Sequence, residues 1–308
     1  MKNRAVIVFL IGVAVVVSSA GLCFGKAAYM GPAGSFTNEA TAEFFGPKEE
    51  LVPLVGYLKV FEAYSSNSVE NMIIAVSSDY LLGGIGRHLD EIIKLAQLGK
   101  VTMIGERLHA CYYSVMAKPG AKLEGIKTLA SHPAVIGTNG EFVPWIQKNM
   151  PSVQLRETAS TGEAAKIVGE GTALDIAAVG PAIGAKLYGL NILVGNIAAG
   201  PPPKNNVTLT RFMAFGRKIP EPTGKDKTSL LIKSEKGELN NFFRGMVKHN
   251  IMVVDIYERP TNEVLGNDFY STNYYFIDVE GHSKEAPLKG FLAEFPNVKV
   301  LGSYPRAY

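Results

Sequence analysis

The stretch AAYMGPAGSFTNEATAEFF, residues 27–45, sets the pattern for the larger part of the chain. Its first four residues form a short apolar run that predicts a strand, Gly31–Gly34 predicts a turn, and residues 35–45 predict a helix. Apolar runs and helices of about ten residues continue to alternate to residue 218. This alternation predicts an α/β architecture with largely parallel sheets.

Two further segments organise the chain around this body. Residues 101–117 are long and rich in β-forming side chains, so we expect strands here that pass between two lobes. The polar segment IPEPTGKDK, residues 219–227, carries two prolines and a glycine and predicts a linker. After it, the predicted order of strand, helix, strand, strand, helix, strand is the ferredoxin-like plan. The predicted parts are 1–25, 26–218, 219–227 and 228–308.

The N-terminal segment has the features of an export signal. Lys2 and Arg4 precede the uncharged residues 5–24, which are strongly apolar at first and then small. A positive start, an apolar core and a small-residue exit predict a cleaved secretory signal peptide over residues 1–25 and an exported, periplasmic protein. The alternative is an uncleaved membrane anchor, because about 20 apolar residues can just span a bilayer.

The composition limits the classes of function. The 308 residues carry 31 basic and 28 acidic side chains, for a net charge of +3, and 47% of them are hydrophobic. A near-neutral chain without a basic run lacks the clustered Lys and Arg that give nucleic-acid affinity, so no nucleic-acid partner is expected. Two cysteines exclude a disulfide scaffold, and no cluster of His, Cys or carboxylates has metal-ligand spacing.

A set of short motifs occurs in one order along the chain. The motifs are GPAGSFT at residues 31–37, SHP at 131–133, STGEAA at 160–165, TRF at 210–212, ERP at 258–260, DVEGH at 278–282 and LGSYP at 301–305. Taken together, they resemble those of prephenate dehydratases that carry a C-terminal ACT regulatory domain. The chain is similar to an exported and divergent member of that family.

The resemblance carries expectations about fold and activity. It implies a two-lobed catalytic domain similar to type II periplasmic binding proteins, with the substrate between the lobes, and an ACT domain of ferredoxin-like βαββαβ type. It implies a hydro-lyase that converts prephenate, a dicarboxylate, to phenylpyruvate in phenylalanine biosynthesis, without metal or organic cofactor. It also implies a homodimer or homotetramer formed through the ACT domains, with a phenylalanine-like effector.

The TRF signature supplies the expected catalytic group. Thr210 matches the family's catalytic threonine by position, and we assign it the role of proton donor to the leaving hydroxyl. Arg211 offers a planar fork that suits a substrate carboxylate, but a lobe-bridging salt bridge is an equal alternative. Phe212 is included in the substrate-binding set with the signature, although its place in a strand favours the core.

Two helix starts are expected to bind the substrate's carboxylates. Ser35 and Thr37 follow the glycine loop, and Ser160 and Thr161 open a second helix. Free backbone N–H groups and the positive end of the helix dipole bind anions at such starts. Each start on its own is a plain N-cap, and it is the pair, facing one cleft, that favours binding of a dicarboxylate.

The chain departs from the family pattern at four places, two in each domain. Residues 78–80 read Ser-Asp-Tyr where the family has Glu-Asn-Ser, and Thr208 replaces an Asn two residues before the catalytic threonine. In the ACT domain the altered regulatory loops contain Gly237, Leu239, Glu258, Arg259 and Pro260. These departures leave a second hypothesis open: a non-catalytic extracytoplasmic binding or sensor protein for a small aromatic or dicarboxylic acid.

Overall fold

The computed structural model describes residues 25–78, 85–199, 207–235, 238–260, 264–265, 268–269 and 272–307. The predicted signal segment lies almost wholly outside these residues, as do Asp79 and Tyr80. Within the described part, none of the helices is both long and apolar enough to cross a membrane.

The first lobe is built on a five-stranded mixed sheet in the order β2-β1-β3-β9-β4. Its elements are β1 (Lys26–Met30), α1 (Phe36–Phe45), β2 (Glu50–Leu54), α2 (Tyr57–Ser65), β3 (Asn71–Ser78), α3 (Ile85–Gln97), the first part of β4 (Met103–Ala117) and β9 (Thr208–Phe215). The strands β1, β2 and β3 are parallel, whereas β9 is antiparallel to both β3 and β4. The expected α/β class is confirmed, with sheets more mixed than predicted.

The second lobe repeats this plan around the other end of β4, in the order β6-β5-β7-β4-β8. Its elements are β5 (Thr128–Ser131), α4 (Pro133–Ile136), α5 (Val143–Asn149), β6 (Gln154–Glu157), α6 (Thr161–Glu170), β7 (Ile176–Gly180), α7 (Ala182–Tyr188) and β8 (Asn191–Ala198). The segment expected to pass between lobes is therefore one continuous 15-residue strand, β4. The two-lobed body expected from the sequence is confirmed.

The C-terminal domain has the ferredoxin-like strand order β11-β14-β10-β15, as expected. Its elements are β10 (Asp226–Glu235), α8 (Leu239–Lys248), β11 (Val253–Pro260), the short β12 (Val264–Leu265) and β13 (Asp268–Phe269), β14 (Thr272–Glu280), α9 (Ala286–Glu294) and β15 (Lys299–Pro305). The strand β10 begins inside the predicted linker, because the Asp226 carboxylate accepts the backbone N–H groups of Thr223 and Gly224 and pins the chain there.

The C-terminal domain and the first lobe share one core. The strands β15 and β4 run parallel where Gly302 meets Met103, and a Cβ on Gly302 would lie 2.1 Å from the Met103 carbonyl oxygen, so only glycine fits. The helix α3 lies between the two bodies, and its apolar face packs with Leu231 and Leu301 of the C-terminal domain. Burial of this apolar surface, together with the pairing of β15 with β4, therefore holds the domain against the first lobe.

Candidate active site

Thr210 lies where the shared strand β4 leaves the first lobe. In β4, Cys111 is the last residue that pairs with β9, and Tyr112 is the first that pairs with β8. Thr210 is directly opposite His109 in the register, and its Oγ1 is 3.5 Å from the Cys111 Sγ. The hydroxyl expected to act as proton donor is half-buried and lies at the junction of the two lobes.

The start of α1 lies over this junction. Ser35 is the N-cap, and its Oγ accepts the Asn38 N–H, while the Asn38 side chain accepts the N–H of Gly34. This reciprocal pair fixes the end of the glycine loop. Phe36, the first helical residue, packs its ring edge-on against Tyr113 at 5.0 Å and lies 6.0 Å from the His109 ring. The predicted helix start is thus close to the strand that pairs with Thr210.

The start of α6 meets the same glycine loop from the second lobe. Ser160 is its N-cap and accepts the Glu163 N–H at 3.0 Å. A Cβ on Gly162 would lie 2.6 Å from the Ala33 carbonyl oxygen and 2.8 Å from that of Pro32, so the first turn of α6 touches the loop. The two helix starts therefore lie close together at the glycine loop, and Ser35 and Ser160 both use their hydroxyl oxygens as N-caps.

The remaining hydroxyl pair is buried at the same place. Thr37 and Thr161 are each 6% exposed, and Thr161 also packs next to Gly180 of β7. Tyr188 at the end of α7 donates its OH to the Ala33 carbonyl at 2.9 Å. This bond links the second lobe to the loop of the first and holds the lobes together at this point.

A buried carboxyl group completes the polar lining at the junction. Glu141 precedes α5 and accepts the Thr208 hydroxyl at 2.5 Å, and its other oxygen accepts the Tyr113 hydroxyl. Burial raises the pKa of Glu141, and the two hydroxyl donors offset only part of that effect. Sequence reasoning missed Glu141, because it is a single acidic residue in an irregular segment.

His109 is a second ionisable side chain beside Thr210. Its ring lies between Phe36 and Phe212, with Glu43 at 3.2 Å from Nδ1 and Glu39 at 3.4 Å from Nε2. Burial alone would lower the pKa of His109, but hydrogen bonds and charge attraction from the two carboxylates together raise it. The two carboxylates therefore favour the charged form of the imidazole, an effect that no sequence motif indicated.

Arg211 does not face the junction. Its Nε donates to Glu106 at 2.8 Å and its Nη2 to Asp278 of the C-terminal domain at 2.6 Å, both as buried ion pairs. Successive strand residues point to opposite faces, so Arg211 leaves β9 on the side away from Thr210. The substrate-contact interpretation of Arg211 is therefore corrected to the salt-bridge alternative, and the bridge joins the first lobe to the C-terminal domain rather than lobe to lobe.

Phe212 also belongs to the core rather than to a substrate surface. It is 2% exposed and packs with Tyr29, Ala40 and Ala214 under α1. Its inclusion in the substrate-binding set is corrected accordingly. The Phe212 ring packs against the His109 ring, with the two ring centres 6.0 Å apart and the rings nearly perpendicular.

The described residues of the expected regulatory set lie at the start of α8 and at the end of β11. Gly237 lies outside the described residues, and Leu239 starts α8 and packs against the domain core. Glu258 is exposed and is hydrogen-bonded to Asn273 and Tyr275 across the sheet. Arg259 makes two 2.7 Å bonds to Asp90 of α3, and Pro260 ends β11. Arg259 thus contributes to domain docking.

Chemically, the junction combines hydroxyls, two helix N-termini and one buried carboxyl group, that of Glu141. Over the described residues no group of three or more His, Cys, Asp or Glu is arranged to hold a metal ion. The arrangement suits an anionic organic ligand: backbone N–H groups at two helix starts that meet at the glycine loop, and a hydroxyl donor on β9, next to the strand that Phe36 contacts.

Comparison of the sequence with known proteins identifies a family. Residues 27–220 match the sequence model of the family described as prephenate dehydratase. The bifunctional chorismate mutase/prephenate dehydratase of Aquifex aeolicus is 30% identical over 288 residues, which cover 92% of this chain and 74% of that protein. The prephenate dehydratase of Corynebacterium glutamicum is 29% identical over 292 residues, covering 90% of this chain and 87% of that one.

Solved structures show the same fold. The crystal structure of a prephenate dehydratase from Arthrobacter aurescens, in complex with L-Phe, superposes with a TM-score of 0.76 at 24% identity. The match covers 92% of this chain and 90% of that chain, so it includes both lobes and the C-terminal domain.

Proposed function

The chain belongs to the prephenate dehydratase family, and we propose that it catalyses that family's reaction, the decarboxylative dehydration of prephenate to phenylpyruvate, with Thr210 as the proton donor. The observation that carries the proposal is the position of the Thr210 hydroxyl at the junction of the lobes. Its Oγ1 lies 3.5 Å from Cys111 on the shared strand, and Phe36 at the start of α1 packs 6.0 Å from His109, the residue opposite Thr210. The enzyme is accordingly a carbon–oxygen lyase of the phenylalanine pathway.

The proposed reaction requires few catalytic groups from the protein. Prephenate has two carboxylates and a ring hydroxyl, and loss of carbon dioxide and of the hydroxyl makes the ring aromatic. As the ring–carboxylate bond breaks, its electron pair enters the ring and the hydroxyl leaves with a proton from Thr210, giving water. Thr210 then regains a proton from solvent. Positioning and one proton donor therefore suffice.

The two helix starts are proposed to hold the carboxylates. The N-termini of α1 and α6 present unpaired backbone N–H groups at the positive ends of the helix dipoles. Ser35 and Ser160 cap these helices, and Thr37 and Thr161 lie in their first turns. A dicarboxylate between the lobes would contact one start from each lobe, so binding of the substrate favours the closed arrangement.

The C-terminal domain is proposed to be a regulatory ACT domain. Its ferredoxin-like order and its LGSYP and DVEGH motifs support this interpretation. The strand β11 forms an edge of the sheet, and Val247, Met252 and Ile256 expose apolar side chains nearby. Such an edge can pair with a second copy, so we propose a homodimer or homotetramer with a phenylalanine-like effector at the interface.

The proposed location of the enzyme is outside the cytoplasm. The support is the charge and hydropathy pattern of residues 1–25 alone. Cell fractionation tests it: phenylpyruvate-forming activity in the periplasmic fraction is the expected result, and activity confined to the cytosol would overturn it.

Turnover of prephenate by the purified protein tests the catalytic proposal. We expect phenylpyruvate to form in the wild type and, in Thr210→Val, to form about 10²- to 10⁴-fold more slowly at an unchanged melting temperature. Thr172→Val, on an exposed loop, is the matched control and should keep full activity. A wild type without turnover that is nevertheless stabilised by prephenate would support the binding-protein hypothesis instead.

A further inference from the structure

We infer that Glu141 is a positioning residue of the Thr210 site, which it orders from the second lobe through the hydroxyls of Thr208 and Tyr113. The inference rests on the proposed function, because it concerns the geometry of the proton donor. It assigns a role in catalysis to a side chain outside the motifs that identify the family.

The side chain of Glu141 is tied to both strands at the lobe junction. One carboxyl oxygen accepts the hydroxyl of Thr208, the first residue of β9, at 2.5 Å, and the other accepts the hydroxyl of Tyr113 on β4. Tyr113 lies just beyond the point at which β4 leaves the first lobe. One carboxyl group therefore fixes β9 and β4 relative to each other where they separate.

The backbone of Glu141 is itself held firmly by the second lobe. Its N–H donates to the Ala134 carbonyl at 3.1 Å, and the next N–H, that of Phe142, donates to Val135 at 2.9 Å. Gly140 permits this close approach, because a Cβ there would lie 2.4 Å from the Val135 carbonyl oxygen. The carboxyl group is thus presented from a rigid support, as a positioning group requires.

Thr208 transmits the position of Glu141 to Thr210. Residues two apart in a strand point to the same face, so the two threonine hydroxyls lie on one side of β9. Cys111 links them from the neighbouring strand: it is opposite Thr208 in the register and its Sγ is 3.5 Å from the Thr210 Oγ1. A rotation of Thr208 would therefore disturb the packing that orients Thr210.

The electrostatics make this arrangement sensitive to pH. Among the described residues, the titratable groups that interact with Glu141 are Tyr113 and Cys111 on β4, and burial raises the pKa of both the Glu141 carboxyl and the Cys111 thiol. The ionised carboxyl accepts both hydroxyls, whereas the protonated form must donate to one of them and turn it away. Activity that depends on two accepting oxygens should fall as Glu141 takes up a proton.

The test compares Glu141→Gln with the wild type across pH, using the full-length purified protein. Gln keeps the shape but is fixed as one donor and one acceptor, like the protonated acid. We expect kcat to fall about 10- to 100-fold at alkaline pH, as for a displaced supporting group, while KM changes little. The ratio of wild-type to variant kcat should shrink toward one at acidic pH. Glu124→Gln, exposed in the same lobe, should match the wild type throughout.

Two further measurements distinguish a positioning role of Glu141 in catalysis from a role in stability alone. The folded protein holds the Glu141 proton more tightly than the unfolded chain, so the contribution of Glu141 to stability is present at acidic pH and lost as pH rises through the raised pKa. The variant should therefore melt at or above the wild-type temperature at pH 8. Thr208→Val should lower kcat by a similar factor and be non-additive with Glu141→Gln.

The outcomes are distinguishable. A wild type without turnover overturns the proposed function and this inference together. Turnover in the wild type with an unchanged kcat and pH profile in Glu141→Gln overturns the positioning role alone. A loss of kcat that merely follows a lower melting temperature assigns Glu141 to structure and also overturns it.

Discussion

Thr210 and Arg211 are consecutive residues of β9, and they connect the two sides of the first lobe. Thr210 places its Oγ1 3.5 Å from Cys111 at the lobe junction, whereas Arg211 places its Nη2 2.6 Å from Asp278 of the C-terminal domain. One peptide unit thus separates the proposed proton donor from the docked domain. Any shift of that domain against the sheet would reach Thr210 through β9 itself.

The contact behind Thr210 is a buried cluster of four charges. Glu106 accepts from Arg211 at 2.8 Å and from Lys227 at 2.6 Å, and Asp278 accepts from Arg211 and lies 3.4 Å from Lys227. The four side chains are at most 8% exposed, and their charges balance. A balanced buried cluster need not add stability, but removing one member leaves a buried charge unpaired.

Replacement of Arg211 by Met tests the corrected role of this residue. We expect Arg211→Met to lower the free energy of unfolding by about 3–5 kcal/mol, because both partner carboxylates stay buried and Lys227 is the cation that remains in contact with them. The KM for prephenate should change by less than about threefold, since the guanidinium is remote from the substrate. Denaturant unfolding and steady-state kinetics provide the two numbers.

Arg259→Met is the matched control for that prediction. Arg259 bridges the same two bodies through Asp90, but this pair is partly exposed to solvent, at 34% and 42%. The expected loss is at most about 1 kcal/mol, as for other exposed pairs. An Arg211→Met protein of normal stability whose KM rises a hundredfold would restore the substrate-contact interpretation.

The sequence predicted the fold where local pattern determines it. The loop and helix of residues 31–45 follow from glycine, an N-cap serine and helical spacing, and β4 follows from its run of β-forming residues. The helix α2 was not predicted: it begins after Gly56, at φ +81, without a side-chain cap. The strand β8 was missed as well, because most of its side chains are exposed and it lacks a buried stripe.

The candidate site was predicted only in part, because its contacts join residues that are far apart in the sequence. The alternation of side chains along β9 predicts that Thr210 and Arg211 point to opposite faces of the sheet. It does not predict which residues pack on each face. The partner of Arg211 is 67 residues away in sequence, in another domain. Glu141 reaches Thr208 across a similar separation, so neither contact has a local signal in the sequence.

His109 and the two carboxylates beside it, Glu39 and Glu43, predict a specific dependence of stability on pH. The pKa of His109 is raised in the folded protein, so its contribution is complete below about pH 6.5, the usual histidine value, and is lost as pH rises through the raised pKa. The pKa of Glu43 is lowered, so its contribution is present above the usual glutamate range and is lost as pH falls. Melting temperatures should decline on the alkaline side of this window.

Variants of these residues identify the source of that decline. His109→Asn should remove the alkaline loss, and so should the double variant Glu39→Gln/Glu43→Gln, which takes away the carboxylates that raise the pKa of the histidine. Melting curves recorded between about pH 5 and pH 9 give the comparison. A decline that persists unchanged in both variants would assign it to other groups and contradict the role given to His109.

The thiol beside Thr210 should be inert in the native protein. Burial raises the pKa of Cys111 to about 12, and the thiolate is the reactive form. Iodoacetamide at pH 8 should therefore leave the Cys111 peptide unmodified in the folded protein and alkylate it fully in urea, as read by mass spectrometry. Rapid native labelling, slowed by prephenate, would instead show that the junction opens in solution.

A substitution at Gly162 tests whether the contact between the start of α6 and the glycine loop is needed for catalysis. Gly162→Ala would place a Cβ 2.6 Å from the Ala33 carbonyl oxygen, which only a separation of the lobes or a shift of the glycine loop can relieve. Because a misplacement of about 1 Å can cost a hundredfold in rate, we expect kcat/KM to fall by about 10- to 100-fold. Gly125→Ala is the control: nothing lies within 4 Å of its Cβ position, so full activity is expected. Full activity in Gly162→Ala as well would mean that the α6 start need not touch the loop during catalysis.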